Sequence, residues 1–156
     1  MKILSVAVPC YNSQEYMRKC VDSLLKGGED VEILIVDDGS KDNTAAIADE
    51  YEKKYPGIVR AIHQENGGHG EGVNQGIRHA RGKYFKVVHS DNWLDRDALR
   101  ALTARMRELE ARGQEVDMYV CNYVYEHAAD NTRYVMNYRR NFPIEQVCGW
   151  KDVRRF

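Results

Sequence analysis

Apolar residues in this chain fall into short unbroken runs and into helical stripes, and the two patterns alternate. Ile3 to Pro9 (ILSVAVP) and Val31 to Val36 (VEILIV) are β-branched runs of the kind that form buried strands. Ile58 to His63 and Tyr84 to Val88 repeat the pattern. Between the first two runs, Tyr16, Met17, Cys20, Val21, Leu24 and Leu25 recur at helical spacing. Ser13 offers that helix an N-cap and Gly27-Gly28 stops it. Thr44 to Tyr55 predicts a second helix, ended by Pro56-Gly57, and Val73 to Ala80 a short third one. Leu99, Leu102, Met106 and Leu109 form the inner stripe of a longer fourth helix, capped by Asp95 and closed by Gly113. Four strand–helix units in series predict an α/β fold: an open, mostly parallel sheet with helices on both faces. After Gly113 the rhythm stops. Met118 to Tyr125 and Arg133 to Tyr138 are tyrosine-rich runs separated by Ala128-Ala129-Asp130-Asn131, which predicts a C-terminal antiparallel addition. Phe142 to Phe156 has weak helical character, and Trp150, Val153 and Phe156 are apolar residues without an evident partner, so the end reads as cut.

Composition narrows this picture without redirecting it. A chain of 156 residues fits one domain and is long enough to bury a core. Its 23 Lys and Arg against 24 Asp and Glu leave a formal charge of -1, which argues against a nucleic-acid partner. Cys10, Cys20, Cys121 and Cys148 show no metal-binding spacing and read as reduced thiols. The apolar start MKILSVAVPCYN is too short for a signal sequence or a membrane span, so a cytoplasmic chain without a membrane segment is expected.

Candidate chemistry clusters where the strands end. In an open parallel sheet, ligands bind outside the carboxyl ends of the strands. The four ends carry Pro9-Cys10-Tyr11-Asn12, Asp37-Asp38-Gly39-Ser40, Asn66-Gly67-Gly68-His69-Gly70 and His89-Ser90-Asp91-Asn92. Tyr11 beside Asp38 suits a nucleobase, the ring stacking and the carboxylate accepting an N–H. Asp91 suits a hard divalent cation such as Mg²⁺ or Mn²⁺, which would supply the positive charge a diphosphate needs. Plainer readings stand beside these: an ordinary helix entry at Tyr11-Asn12, a plain turn at Asp37-Asp38-Gly39, and helix capping by Asp91 or Asp95. The loop from Asn66 to Gly72 fails the dinucleotide pattern, because Val73 stands where its last glycine would be. Its glycines permit close backbone approach to a ligand or an anion site at a helix start, and His69 within it reads as a hydrogen-bonding or surface residue more readily than as a ligand.

Taken in order, these segments resemble family 2 glycosyltransferases of the GT-A fold. SVAVPCYN resembles the opening strand with its P-x-Y-N turn, and ILIVDDGSKDNT is similar to the V-D-D-G-S-x-D-x-T signature. ENGGHGEGVNQGIRHARGKYFKVV resembles the N-G-G loop, helix and fourth strand, and HSDNWLD occupies the place of D-S-D-D-W-x-D. The match is strong over residues 3–113 and weak beyond. It implies a single GT-A-like domain, truncated, with a nucleotide-binding core at 1–113 and the start of an acceptor-side region at 114–156.

The resemblance further implies transfer of a sugar from a nucleoside diphosphate donor, a UDP-sugar, to a hydroxyl of a glycan or other acceptor, with inversion. Pro9 and Tyr11 would border the base and Asp38 would bind it. Asp37, Asn66 and Gly67 would help build the donor pocket, joined by Ser90. Asp91 would hold the metal, with His89 as a second candidate ligand. The general base would lie beyond the matched region. Two residues depart from the pattern: His89 and Asn92 stand where the family carries aspartates, which weakens the expected hold on Mn²⁺ or Mg²⁺ and raises an alternative, a relative that binds nucleotide sugar or glycan without transfer. A nucleotidyltransferase would need a glycine-rich basic loop after the first strand, and Pro9-Cys10-Tyr11-Asn12 is not one.

Overall fold

A computed structural model of the chain describes residues 1–127 and 129–154. It divides into two compact units, residues 1–111 and residues from 112 onward. In the first unit, strands β1 (Leu4–Cys10), β2 (Val31–Asp37), β3 (Val59–His63) and β4 (Tyr84–Val87) alternate with helices α1 (Met17–Leu24), α2 (Thr44–Lys54), α3 (His69–His79) and α4 (Arg96–Ala111). The sheet is fully parallel, in the order β3-β2-β1-β4. Cys10 pairs with Asp37 and Asp37 with His63, so the first three strands end level with one another. That register is what brings their following loops to one edge.

Every residue of β2 is buried, and β1 is buried except at half-buried Pro9. Ile33, Leu34 and Ile35 have no exposed surface. Each such side chain contributes ~1.5–3 kcal/mol of burial free energy, so the central strands dominate the stability of this unit. The buried carboxylate of Glu32 in this apolar layer is satisfied. Ser5 Oγ and Arg81 N both donate to Glu32 Oε2, at 2.7 and 2.9 Å, which fixes the turn from α3 into β4 at the end of the sheet away from the loops described below.

Helices cover both faces. Going β1 to β2 to β3 moves one way across the sheet, so right-handed crossovers put α1 and α2 on one face. There the Tyr51 hydroxyl donates to Asp22 at 2.8 Å, tying α2 to α1. The return from β3 to β4 puts α3 on the other face. It packs so closely that a Cβ on Gly76 would lie 2.5 Å from the Ala7 Cβ, and one on Gly72 would lie 3.3 Å from Pro9.

Element boundaries differ from the sequence reading in four places. Ser13 does not cap α1 with its side chain; the helix begins at Met17, and the Ser13 hydroxyl turns toward Ser90 instead. After Leu24 the chain tightens into a 3-10 segment over Leu25–Asp30 and turns at Gly28, where φ is 63°. Helix α3 starts at His69 rather than Val73, so half of the glycine-rich loop is helical. In α4, Thr103 is buried and Leu102 only half so, because the stripe rotates at the helical pitch past the position that hydrophobicity alone selects.

In the second unit, β5 (Tyr123–His127) and β6 (Thr132–Met136) form an antiparallel pair in which Tyr125 faces Tyr134. The predicted strands were longer, the first beginning five residues before β5 and the second one residue after the start of β6. Between Phe142 and Arg154 one 3-10 turn forms, at Trp150–Asp152. Ala128 of the predicted separator and Phe156 lie outside the described residues. Among the described residues no helix is long and apolar enough to cross a membrane.

Candidate active site

The loops at the carboxyl edge of the sheet are joined by a chain of hydrogen bonds. The loop after β1 meets the loop after β2 where Asn12 N donates to Ser40 Oγ at 3.0 Å and Lys41 N donates to Asn12 Oδ1 at 2.8 Å. Asn12 adopts φ 49° to make this turn, a conformation asparagine tolerates better than most residues. The loop after β2 meets the loop after β3 through Asp38. Its Oδ1 accepts from Gln64 Nε2 at 2.6 Å and Gly67 N at 2.7 Å, and its Oδ2 from Gly68 N at 2.9 Å. The loop after β1 meets the loop after β4 where Ser13 and Ser90 share a hydroxyl bond of 2.8 Å.

A cleft of about 290 Å³ opens among these loops. Pro9, Tyr11, Ser90, Asp91 and His89 line it, as the sequence singled them out. Asn12, Ser13, Tyr16 and His69 line it too. Ser13 was legible only as a helix cap, and His69 chiefly as a hydrogen-bonding or surface residue; the signal for both was their place just past a strand end. Tyr11 is half exposed, which leaves its ring free to stack.

Asp37, Asp38, Asn66 and Gly67 stand beside the cleft rather than on its wall. Asp37 is 4% exposed and Asp38 is 5% exposed. Asp37 Oδ1 accepts from Ser40 N, and its Oδ2 lies 3.2 Å from His63 Nδ1. Burial pushes the Asp38 carboxyl up, but the bonds from Gly67, Gln64 and Gly68 outweigh burial and hold it below the usual carboxylate range. Asp38 is therefore an anion that shapes the N-G-G loop. Asn66 Nδ2 donates to the Asp38 carbonyl at 3.1 Å and completes that hold.

Helix α1 anchors the segment that carries Asp91. Cys20 Sγ reaches the His89 carbonyl at 3.6 Å, Leu94 N donates to Ser23 Oγ at 3.1 Å, and Lys19 Nζ sits 3.1 Å from the centre of the Trp93 ring. Burial pushes the Cys10 and Cys20 thiols up to about 12, so neither is a nucleophile at neutral pH. Asp95 caps α4: its Oδ1 accepts from Asp97 N and Ala98 N at 3.0 and 2.8 Å. Among the described residues, no three His, Cys, Asp or Glu side chains converge to hold a metal ion.

A polar cleft at the strand ends, lined by an open aromatic ring and a carboxylate, fits a nucleotide site on a parallel sheet. Residues 5–153 match the model of the family described as glycosyl transferase family 2. The chain belongs to that family. It is 33% identical over 156 residues to glycosyltransferase GlyG of Streptococcus pneumoniae, covering 99% of this chain and 50% of GlyG. It is 35% identical over 134 residues to the uncharacterized glycosyltransferase EpsJ of Bacillus subtilis, covering 85% of this chain and 37% of EpsJ. The chain thus spans half or less of the length of these family members. S. aureus TarS, solved in complex with UDP, superposes on 70% of this chain and 33% of its own with TM-score 0.62 and 31% identity. TarS has also been solved with UDP-GlcNAc. These neighbours support the GT-A fold for this chain.

Proposed function

We propose that this chain carries the donor-binding part of a glycosyltransferase that moves a sugar from a uridine diphosphate donor to an acceptor hydroxyl with inversion. The observation that carries the reading is the cleft itself: Tyr11, Ser90 and Asp91, from two strand ends, face one space in a family member whose neighbour TarS binds UDP. Tyr11 stacks on the base and Pro9 borders it. Asp38 Oδ1 already accepts two hydrogen bonds, whereas Oδ2 accepts one and retains capacity for a base N–H. Asp37, Asn66 and Gly67 hold the pocket wall through the contacts described above, and Ser90 presents a hydroxyl to the donor.

Asp91 and His89 fit a divalent ion of the Mn²⁺ or Mg²⁺ type. Such ions need one or two protein carboxylates and complete their shell with water and phosphate oxygens, and Mn²⁺ accepts imidazole. Bound there, the ion supplies Lewis-acid charge to the diphosphate leaving group. The base that takes the acceptor proton belongs to the acceptor side, which residues from 112 onward begin. All four cysteines are free, in keeping with a reducing cytoplasm. Calorimetric titration of the chain with UDP, with and without Mn²⁺, tests the reading. Saturable binding is expected, stronger with Mn²⁺; no binding under either condition overturns it.

A second reading, donor binding without transfer, is favoured by His89 and Asn92 and by the sparse set of ligands around Asp91. Substituting His89→Asp and Asn92→Asp together separates the two. Stronger Mn²⁺-dependent binding with new turnover supports the second reading, and turnover already present in the parent removes it.

A further inference from the structure

A nucleoside diphosphate in this cleft brings at least two negative charges to a wall that, among the described residues, includes no Lys or Arg. Phosphate oxygens removed from water need hydrogen-bond donors there. Two imidazoles are present. His69 opens α3 and His89 follows β4, and their rings meet edge to face with centroids 4.8 Å apart and planes at 67°. Among the described residues neither ring hydrogen-bonds a protein group. By contrast, the His63 ring lies within hydrogen-bond distance of Asp37 and Asp49, and His79 Nδ1 lies 2.9 Å from the Gln75 carbonyl. The cleft histidines thus keep free donors where the others have theirs engaged.

We propose that His69 is a donor-binding residue, its ring N–H donating to an oxygen of the diphosphate while its edge-to-face contact orients the His89 ring. The inference rests on the donor-binding reading above. An imidazole carries at least one N–H in either charge state, so this grip does not depend on protonation. It acts on phosphate directly, so part of the diphosphate affinity survives removal of divalent metal. It also acts on phosphate alone, so His69 matters for UDP and not for uridine.

NMR-monitored titration of UDP and of uridine in excess EDTA tests this with the parent chain, His69→Ala and His69→Gln. His69 is exposed at the first position of its helix, where alanine and glutamine are both accepted. The expected result is UDP binding in EDTA by the parent, weakened about tenfold by His69→Ala and partly restored by His69→Gln, which keeps a side-chain N–H. Uridine affinity stays unchanged in all three. Unchanged UDP affinity in His69→Ala overturns the proposal, as does an equal loss for uridine. UDP binding by the parent only when Mn²⁺ is present overturns it too, while leaving the donor-binding reading in place. No UDP binding by the parent with or without Mn²⁺ overturns that reading instead.

Discussion

At the scale of single residues, the side chains beside the cleft divide into those that meet a ligand and those that hold the wall. Tyr11 meets it: its backbone is pinned by Ser13 Oγ at 3.2 Å while its ring stays half exposed. Base stacking on an aromatic side chain is worth ~1–3 kcal/mol, so Tyr11→Ala is expected to weaken UDP binding by about tenfold, read by calorimetry, with thermal stability unchanged. His63 holds the wall, its ring bridging Asp37 at 3.2 Å and Asp49 at 2.9 Å. Burial pushes the His63 pKa down, but the two carboxylates outweigh burial and raise it above the ordinary value. A raised folded pKa means stabilisation that is full below about pH 6.5 and lost as pH climbs through the folded value. The melting temperature should therefore fall between about pH 5.5 and about pH 8 by more in the parent than in His63→Gln. The ring is 42% exposed, so the difference is expected to be small. Sequence alone singled out Tyr11, Ser90 and Asp91 because they lie just past the ends of apolar strand runs. It left the work of Asp38 open, since nothing local tells whether a carboxylate faces a ligand or two glycine N–H groups from another loop.

At the scale of elements, α3 decides how tightly the site is built. Its glycines let the helix lie against β1: Gly76 faces Ala7, and Gly72 faces Pro9, which lines the cleft. Ala7 is buried and central, with no flexible end to yield. Gly76→Val is thus expected to lower stability by ~1–3 kcal/mol, seen as a reduced midpoint of urea unfolding. The strands were readable because β1 and β2 are buried on both faces and so appear as continuous apolar runs. Helix α3 was readable only from Val73 onward. Its first turn is His69-Gly70-Glu71-Gly72, and glycine there signals a loop by propensity while tertiary packing against Pro9 makes it helical. The β5–β6 pair shifted from its predicted bounds for a related reason. All of β5, and β6 as far as Val135, is exposed, so no buried face fixes the register from the pattern of apolar residues.

At the scale of the whole molecule, every residue lining the cleft lies within residues 1–111, which form a compact unit of their own. A chain ending at Ala111 is expected to unfold cooperatively and to keep its UDP affinity within about threefold of the full sequence, a difference of ~0.7 kcal/mol. Loss of binding on that truncation would show that residues beyond 111 supply part of the pocket. A parallel sheet was implied by the strand–helix rhythm, and with it the edge where ligands bind, whereas the order β3-β2-β1-β4 comes from the structure alone. The stitching of that edge by Asn12, Asp38 and Ser13 was not implied, because each bond joins residues at least 26 positions apart. The most direct measurement is a map of backbone amide NMR shifts as UDP is added. Shifts concentrated at residues 9–13, 66–71 and 89–92 are expected. Shifts scattered over the helical faces, or centred on β5 and β6, would contradict a donor site at the strand ends.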